Sequence, residues 1–369
     1  MGDIEQGQTT PLVSVVIPIL NEVRTIDDTL TSVLGQTYRQ IEVLAVDGMS
    51  DDGTIARLQA WAERDARVRI LPNPRKAIPV ALNIALEAAE GLFLVRVDAH
   101  STIPDDYVER MVAHLQGGEV AGVGAKKTAL GGPPNGQAIA AALGSPFGVG
   151  GSAYHYATEP TETDHIPFGA YRIDLARQLG GWDERLVANE DFEFDVRVRK
   201  AGGKLFLDPS VEVLWKCRSR IRDLAAQYRR YGRGKADVAF LHPSEVRLRH
   251  LAPPVAVAAI TASAVLVPWV PILLPIVGGG YIVAVLGLSM PIGRKLENRD
   301  KLRVPAALAA MQLAWGWGMW EGLARIARHG FRLPVPSETD ASRWGSPDWH
   351  VESDIESDPD SGTGPHGRP

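Results

Sequence analysis

A chain of 369 residues can hold one large domain or two ordinary ones around a sizeable core. Its net charge of −5 excludes electrostatic capture of nucleic acid, so no nucleic-acid partner is expected. The single cysteine, Cys217, excludes an intramolecular disulfide and any thiolate metal cluster, and is expected to be a small buried side chain.

Residues 1–10 are polar and expected to be disordered. The first apolar run, LVSVVIPIL, is short and interrupted by Pro18, so it reads as a strand and not as a secretory signal; the domain that follows is expected in the cytosol. VSVVIPI and IEVLAVDG have the valine and isoleucine content of buried strands, ended by polar or turn residues. Between them TIDDTLTSVLGQT carries apolar residues at helical spacing behind a Thr and Asp start. A second helix runs through DGTIARLQAWAERD, VRILP makes a third strand, and IPVALNIALEAAEG a third helix. This alternation predicts a doubly wound, mainly parallel α/β sheet, whose sites lie at the carboxyl ends of the strands. Asp47, Asp98 and His100 fall there.

In LFLVRVDAH a buried strand ends by presenting Asp98 and His100. Side chains at i and i+2 leave a strand on the same face, so a carboxylate and an imidazole emerge together. A turn needs only something polar at that point, whereas a metal-binding loop needs converging donors.

From Leu251 to Pro291 there is no charged residue. That length is about twice the roughly 20 residues of one membrane crossing, which predicts a two-helix hairpin turning near PWVPILLP. GRKLENRDKLR then places five basic residues beside the second crossing, which puts this loop on the cytosolic side. Residues 236–250 read as a juxtamembrane linker and 251–330 as a membrane region of a multi-pass protein. Its third segment, VPAALAAMQLAWGWGMWEGLARIARHG, either crosses or lies flat, because Glu321, Arg325 and Arg328 restrict how deeply its end can sit. The acidic tail, residues 334–369, is expected to be disordered.

Three acidic elements occur in order, VDGMSDDGT, VDAH and NEDFEFDVRVRKAG, followed by the basic QYRRYGRGK. Each is ambiguous alone: Asp-Gly is a common turn, and the NED start reads equally as a helix capped by Asn189 with Glu193, Asp195, Arg197, Arg199 and Lys200 on a solvated face. Together the four resemble the family 2 glycosyltransferases of GT-A fold, over residues 11–235, and the continuation is similar to bacterial exopolysaccharide glucosyltransferases of the succinoglycan type. The resemblance implies transfer from a nucleotide sugar, with a UDP-sugar and especially UDP-glucose as donor. It implies a lipid-linked or polysaccharide acceptor at the membrane lipid surface, with other exopolysaccharide-synthesis proteins as partners.

By the same resemblance Pro18, Asn21 and Glu22 contact the nucleotide, Asp47 binds the uracil edge, and Asn83 belongs to the helix between the nucleotide loops. There Leu82 replaces the family's arginine, and Arg75 or Lys76 is expected to supply that charge. VDAH stands at the DxD position, implying a divalent cation on Asp98 and His100, with Asp98 also toward the donor. His100 in place of the last Asp offers nitrogen, which favours Mn2+ over Mg2+. Asp191 corresponds to the catalytic base of an inverting transfer, with Glu190 supporting it or binding acceptor. Gly169 and Trp182 are implied on the acceptor side, Gly169 for close backbone approach and Trp182 for stacking, unless Trp182 is simply core. Gln227, Arg230 and Tyr231 match the QxxRW spacing near acceptor and diphosphate, with Tyr in place of Trp; the same stretch reads as a basic interfacial helix.

Two other functions are weighed. A sugar-phosphate nucleotidyltransferase needs a glycine-rich basic phosphate loop early in the chain, and PILNEVRTIDD has none. A non-catalytic membrane partner that binds nucleotide sugar or glycan needs none of the three acidic elements.

Overall fold

The computed structural model describes residues 10–330, Lys295 excepted. The expected elements of the first half are all present, in order: β1 (Val13–Ile19), α1 (Ile26–Leu34), β2 (Ile41–Asp47), α2 (Thr54–Arg64), β3 (Val68–Pro72), α3 (Ile78–Ala88) and β4 (Phe93–Arg96). There follow β5 (Ser101–Thr102), α4 (Tyr107–Gln116), β6 (Gly122–Leu130), α5 (Gly136–Leu143), α6 (Pro146–Val149), β7 (Thr161–Thr163), β8 (Ala170–Arg172), α7 (Ile173–Gln178), α8 (Glu190–Lys200) and β9 (Leu205–Lys216). The described residues end in helices: α9 (Ile221–Leu241), α10 (Leu248–Val265), α11 (Leu273–Gly293), α12 (Asn298–Lys301) and α13 (Val304–His329). The disorder expected for residues 1–9 and 334–369 lies outside the described residues.

The strands form one sheet in the order β3-β2-β1-β4-β8-β6-β9-β5, with β7 on β9. β1, β2, β3 and β4 are parallel, as the valine-rich runs predict; beyond β4 the sheet is mixed, because β8 enters antiparallel between β4 and β6. Helices cover both faces. Ile26 and Leu30 of α1, Leu58 of α2 and Met111 of α4 pack on one, and Leu82 of α3, Ile173 of α7 and Phe194 of α8 on the other. After β3 the chain returns across β1 to lay down β4, so the carboxyl ends of β1 and β4 diverge into a crevice. Such a switch point is where open α/β sheets bind ligands.

The boundary expected at 235 falls inside a helix. α9 runs through it without a break, and 236–250 packs onto the domain instead of acting as a linker. Arg199 meets Glu245 at 2.6 Å, His242 meets Glu193 at 3.0 Å, and Arg247 and Arg249 meet Asp164 at 2.9 and 3.1 Å. Those ionic partners are brought by folding and are not adjacent in sequence.

α9 also lies against α13 at backbone distance. A Cβ on Gly232 would overlap the Trp315 carbonyl, and one on Gly318 the Arg229 carbonyl, so glycine is required at both crossings. Glu321 of α13 holds Arg229 at 2.8 Å and Arg233 at 2.7 Å, and Asp237 pairs with Arg325. The third apolar segment is therefore a single helix laid along α9.

α10 and α11 are the two described helices long and apolar enough to cross a membrane. They are joined by the proline-bearing turn between Val265 and Leu273, where a hairpin is expected. Few of their residues are buried, and Trp269, Ile276, Val283 and Met290 face outward, unlike a core helix.

Candidate active site

Glu22 follows β1 and His100 follows β4, neighbours in the sheet. Glu22 Oε1 lies 3.0 Å from His100 Nδ1, its Oε2 accepts the Thr25 hydroxyl at 2.7 Å, and its backbone N–H donates to Thr54 Oγ1 at 2.9 Å. With Nδ1 engaged, Nε2 is the ring nitrogen available to a ligand. Beside it Asp98 Oδ1 accepts Arg96 Nε at 3.0 Å, and Arg96 Nη1 donates to Glu190 Oε1 at 3.2 Å. Burial works against the Arg96 charge, but Asp98 and Glu190 outweigh it and hold the guanidinium above its ordinary pKa.

Glu190 and Asp191 open α8, where acidic side chains suit the helix dipole. Asn189 before them has φ 63°, a conformation that Asn tolerates better than most residues, and its side chain donates to the Tyr231 carbonyl at 3.1 Å. It does not cap the helix, which corrects that alternative. The solvated face is corrected too, since Glu193 and Asp195 are buried. Burial and the neighbouring Asp191 push Glu190 up to about 7, with Arg96 opposing. Burial would also raise Asp191, yet His165 and Arg96 overcome it and hold this carboxyl below its usual range.

These groups line one cavity of about 640 Å³. It holds Glu22, Arg96, Asp98, His100, Lys127, His165, Glu190 and Asp191, with Gln227, Arg230 and Tyr231 from α9 alongside. The same cavity is also lined by Pro253 of α10, Val285 and Leu288 of α11 and Met311 and Trp315 of α13, with Arg249, His250 and Gln312 beside them. Gln227 Nε2 donates to Tyr231 Oη at 3.0 Å. Lys127 Nζ sits 3.8 Å from the Phe168 ring centroid and 4.4 Å from that of Trp215, and burial lowers it to about 8.

Among the described residues no three His, Cys, Asp or Glu side chains form a metal cage. Asp98 and His100 supply two donors on one wall. That set fits a cation that completes its shell with diphosphate oxygens and water, as hard divalent ions at phosphate sites do. An ionised carboxylate such as Asp191, at a cavity wall, can take a proton from a hydroxyl.

The family model for Glycosyl transferase family 2 matches residues 14–167, and that for Glycosyl transferase family group 2 matches residues 93–317. The chain is a family 2 glycosyltransferase. It is 33% identical over 335 residues to the succinoglycan biosynthesis protein ExoA of Rhizobium meliloti, covering 89% of this chain and 99% of that protein. It is 24% identical over 233 residues to the dolichyl N-acetyl-alpha-D-glucosaminyl phosphate 3-beta-D-2,3-diacetamido-2,3-dideoxy-beta-D-glucuronosyltransferase of Methanococcus voltae, covering 60% of this chain and 72% of that one. Its fold is similar to that of the mannosyltransferase PcManGT from Pyrobaculum calidifontis, solved with GDP-Man and Mn2+, at a TM-score of 0.56 and 21% identity over 86% of this chain and 88% of the other.

Within this glycosyltransferase the expected site residues divide. Glu22, Asp98, His100, Glu190, Asp191, Gln227, Arg230 and Tyr231 share the cavity. Pro18, Asn21 and Asp47 lie outside it, at the carboxyl ends of β1 and β2. There Asn21 Oδ1 accepts the Asp51 N–H at 3.0 Å, and Asp47 takes the Ser50 hydroxyl at 2.6 Å.

Packing commits three of the expected residues to contacts away from the cavity. Trp182 is core, buried and stacked on Phe194 at 4.5 Å between ring centroids. Asn83 spends its amide on the Trp182 backbone, at 2.8 and 2.9 Å, and on Glu184. Gly169 gives its space to the Tyr171 ring, which a Cβ would overlap. Arg75 pairs with Glu184. Arg96 pairs with Asp98 at 3.0 Å and Lys127 lines the same cavity, and both were missed. Their signal was a charged residue inside an apolar strand pattern, at LVRVDAH and GVGAKKTAL.

Proposed function

We propose that this glycosyltransferase moves a sugar, with inversion, from a UDP-sugar to a lipid-linked saccharide or growing polysaccharide at the cytosolic face of a membrane. UDP-glucose is the favoured donor, and exopolysaccharide or cell-envelope glycan synthesis, alongside other proteins of that synthesis, is the setting. The observation that carries this reading is the continuity of one cavity from Asp98, His100 and Asp191 to the apolar walls of α10, α11 and α13. The charged lining is suited to the reacting sugars, and the apolar side chains of α10, α11 and α13 to a lipid carrier.

Asp191 takes the proton of the acceptor hydroxyl as its oxygen bonds to the anomeric carbon, and the bond from that carbon to the nucleoside diphosphate breaks on the opposite face. Arg96 keeps Glu190 and Asp98 in place on either side. Lys127 and Arg230 face the diphosphate with positive charge. Asp47, Asn21 and Pro18 hold the nucleotide, where the Asp47 carboxylate retains lone pairs for a uracil N–H. Asp98 and His100 would hold a divalent cation, Mn2+ in preference to Mg2+ because a nitrogen replaces an oxygen donor, and when bound it neutralises charge on the departing diphosphate. The ExoA likeness and the GDP-Man and Mn2+ of the mannosyltransferase are in keeping with this class of donor and cofactor.

The test is incubation of membranes carrying the chain with a panel of labelled UDP-, GDP- and ADP-sugars, followed by organic extraction. Transfer of label from a UDP-sugar into the lipid or polysaccharide fraction is expected. Label that moves only from another nucleotide would overturn the donor, and no transfer at all would favour a non-catalytic binding partner.

A further inference from the structure

Behind Asp191 stands a second carboxylate that the transfer does not touch. Asp195 lies four residues further along α8, on the same face, and is 0% exposed. It accepts the Tyr171 hydroxyl at 2.6 Å and the Ile166 N–H at 2.8 Å, and its Oδ2 lies 2.7 Å from His165 Nδ1. A carboxylate is acceptor only, so Nδ1 carries the proton of that bond. The opposite ring nitrogen, Nε2, lies 3.9 Å from Asp191 Oδ2, with His165 lining the cavity beside it. The His165 ring is held edge-on by Tyr154 and Phe192, at 5.4 and 5.5 Å between centroids.

We infer that His165 is a positioning residue, which ties the buried Asp195 to Asp191 and keeps the carboxylate that serves as base aimed and ionised. This rests on the reading of Asp191 as that base. The groups that face His165 are Asp191 and Asp195 of α8, Asp164 beside it, and His155 and Tyr154 of the preceding turn, while Arg96 of β4 and Lys127 of β6 act on Asp191. Burial and Lys127 hold His155 near 3, so it is neutral and does not compete. Burial disfavours the His165 imidazolium, but Asp191, Asp195 and Asp164 outweigh burial and raise it above its ordinary value. His165 is the largest of the charges that oppose the desolvation of Asp191, ahead of Arg96 and Lys127, so its removal leaves that desolvation less opposed.

The test is the pH dependence of kcat for the full-length protein with labelled UDP-glucose, in wild type, His165→Asn, Asp195→Asn and Asp191→Asn. UDP binding reports which variants are folded. His165→Asn is expected to bind UDP as wild type does and to move the acid limb of the profile up by about one pH unit or more, the shift an opposite charge at this range produces. Asp195→Asn, which removes the anchor and leaves the imidazole, is expected to move the limb the same way by less. A wild-type acid limb in His165→Asn overturns the inference; if that variant fails to bind UDP, Asp195→Asn decides by the same criterion. Wild-type turnover by Asp191→Asn would instead sink the base assignment beneath it.

Discussion

Glu22 Oε1 and His100 Nδ1 stand 3.0 Å apart, tying the loop after β1 to the loop after β4 across the switch point of the sheet. A carboxylate on one ring nitrogen fixes the imidazole plane and makes the other nitrogen a better ligand. Chelation with EDTA is expected to abolish sugar transfer and Mn2+ to restore it. His100→Ala should lose the metal response while still binding UDP. Glu22→Gln should require 10- to 100-fold more Mn2+, the usual order of effect for an outer partner of a ligand. His100→Asp should move the preference toward Mg2+. Full activity in EDTA is the result that sinks the cation site.

Asp191→Asn preserves side-chain size and removes the power to accept a proton. Transfer should fall by about 10²- to 10⁴-fold, with UDP binding intact. Glu190→Gln also loses the ionic partner of Arg96, and is expected to weaken acceptor use without ending turnover. A dead Glu190→Gln beside a fully active Asp191→Asn would exchange their roles.

Lys127 is charged below about 8 and neutral above it, because burial depresses its pKa. If it faces the diphosphate, UDP affinity should decline as pH rises through that value, since the protonated amine is the form that attracts the anion. Lys127→Met should weaken UDP binding by roughly 10- to 100-fold, as loss of a hydrogen bond to a charged group does, and flatten the pH dependence. Titration calorimetry from pH 6 to 10 reads both; a slope that survives in Lys127→Met assigns the effect elsewhere.

Trp182 lies against Phe194 in the core on the sheet face covered by α3, α7 and α8. Trp182→Ala is expected to cost about 3–5 kcal/mol of stability, the usual range for a buried aromatic truncation. Denaturant unfolding of the detergent-solubilised protein measures it. A variant of unchanged stability that has lost acceptor use would return Trp182 to the acceptor side.

α10 and α11 form a hairpin, and the basic α12 follows it. A reporter inserted at Arg299 should be on the cytosolic side, with the active site. Protease protection in sealed vesicles checks this, and an external Arg299 would break the hairpin reading.

The parallel half of the sheet was legible from Val13 to Arg96, because buried strands and amphipathic helices differ in period and composition over short windows. So were the two apolar helices with the turn between them, and the placement of Asp98, His100, Glu190 and Asp191 at strand and helix ends. What an isolated side chain touches was not legible. Trp182, Gly169 and Asn83 carry the residue types of a sugar site, yet packing commits them to the core, to the Tyr171 ring and to the Trp182 backbone. Asp195 presents the reverse case, a charge on what reads as a solvated helix face that is fully buried against His165, Tyr171 and Ile166. Local chemistry and periodicity reside in neighbouring residues, so the sequence alone determined the elements and the ends that bear chemistry. Glu22 and His100, 78 positions apart, meet only when the chain crosses back over β1, and Arg96 and Glu190, 94 apart, only when β8 pairs with β4, so the tertiary structure alone decided which charges are paired and which line the cavity.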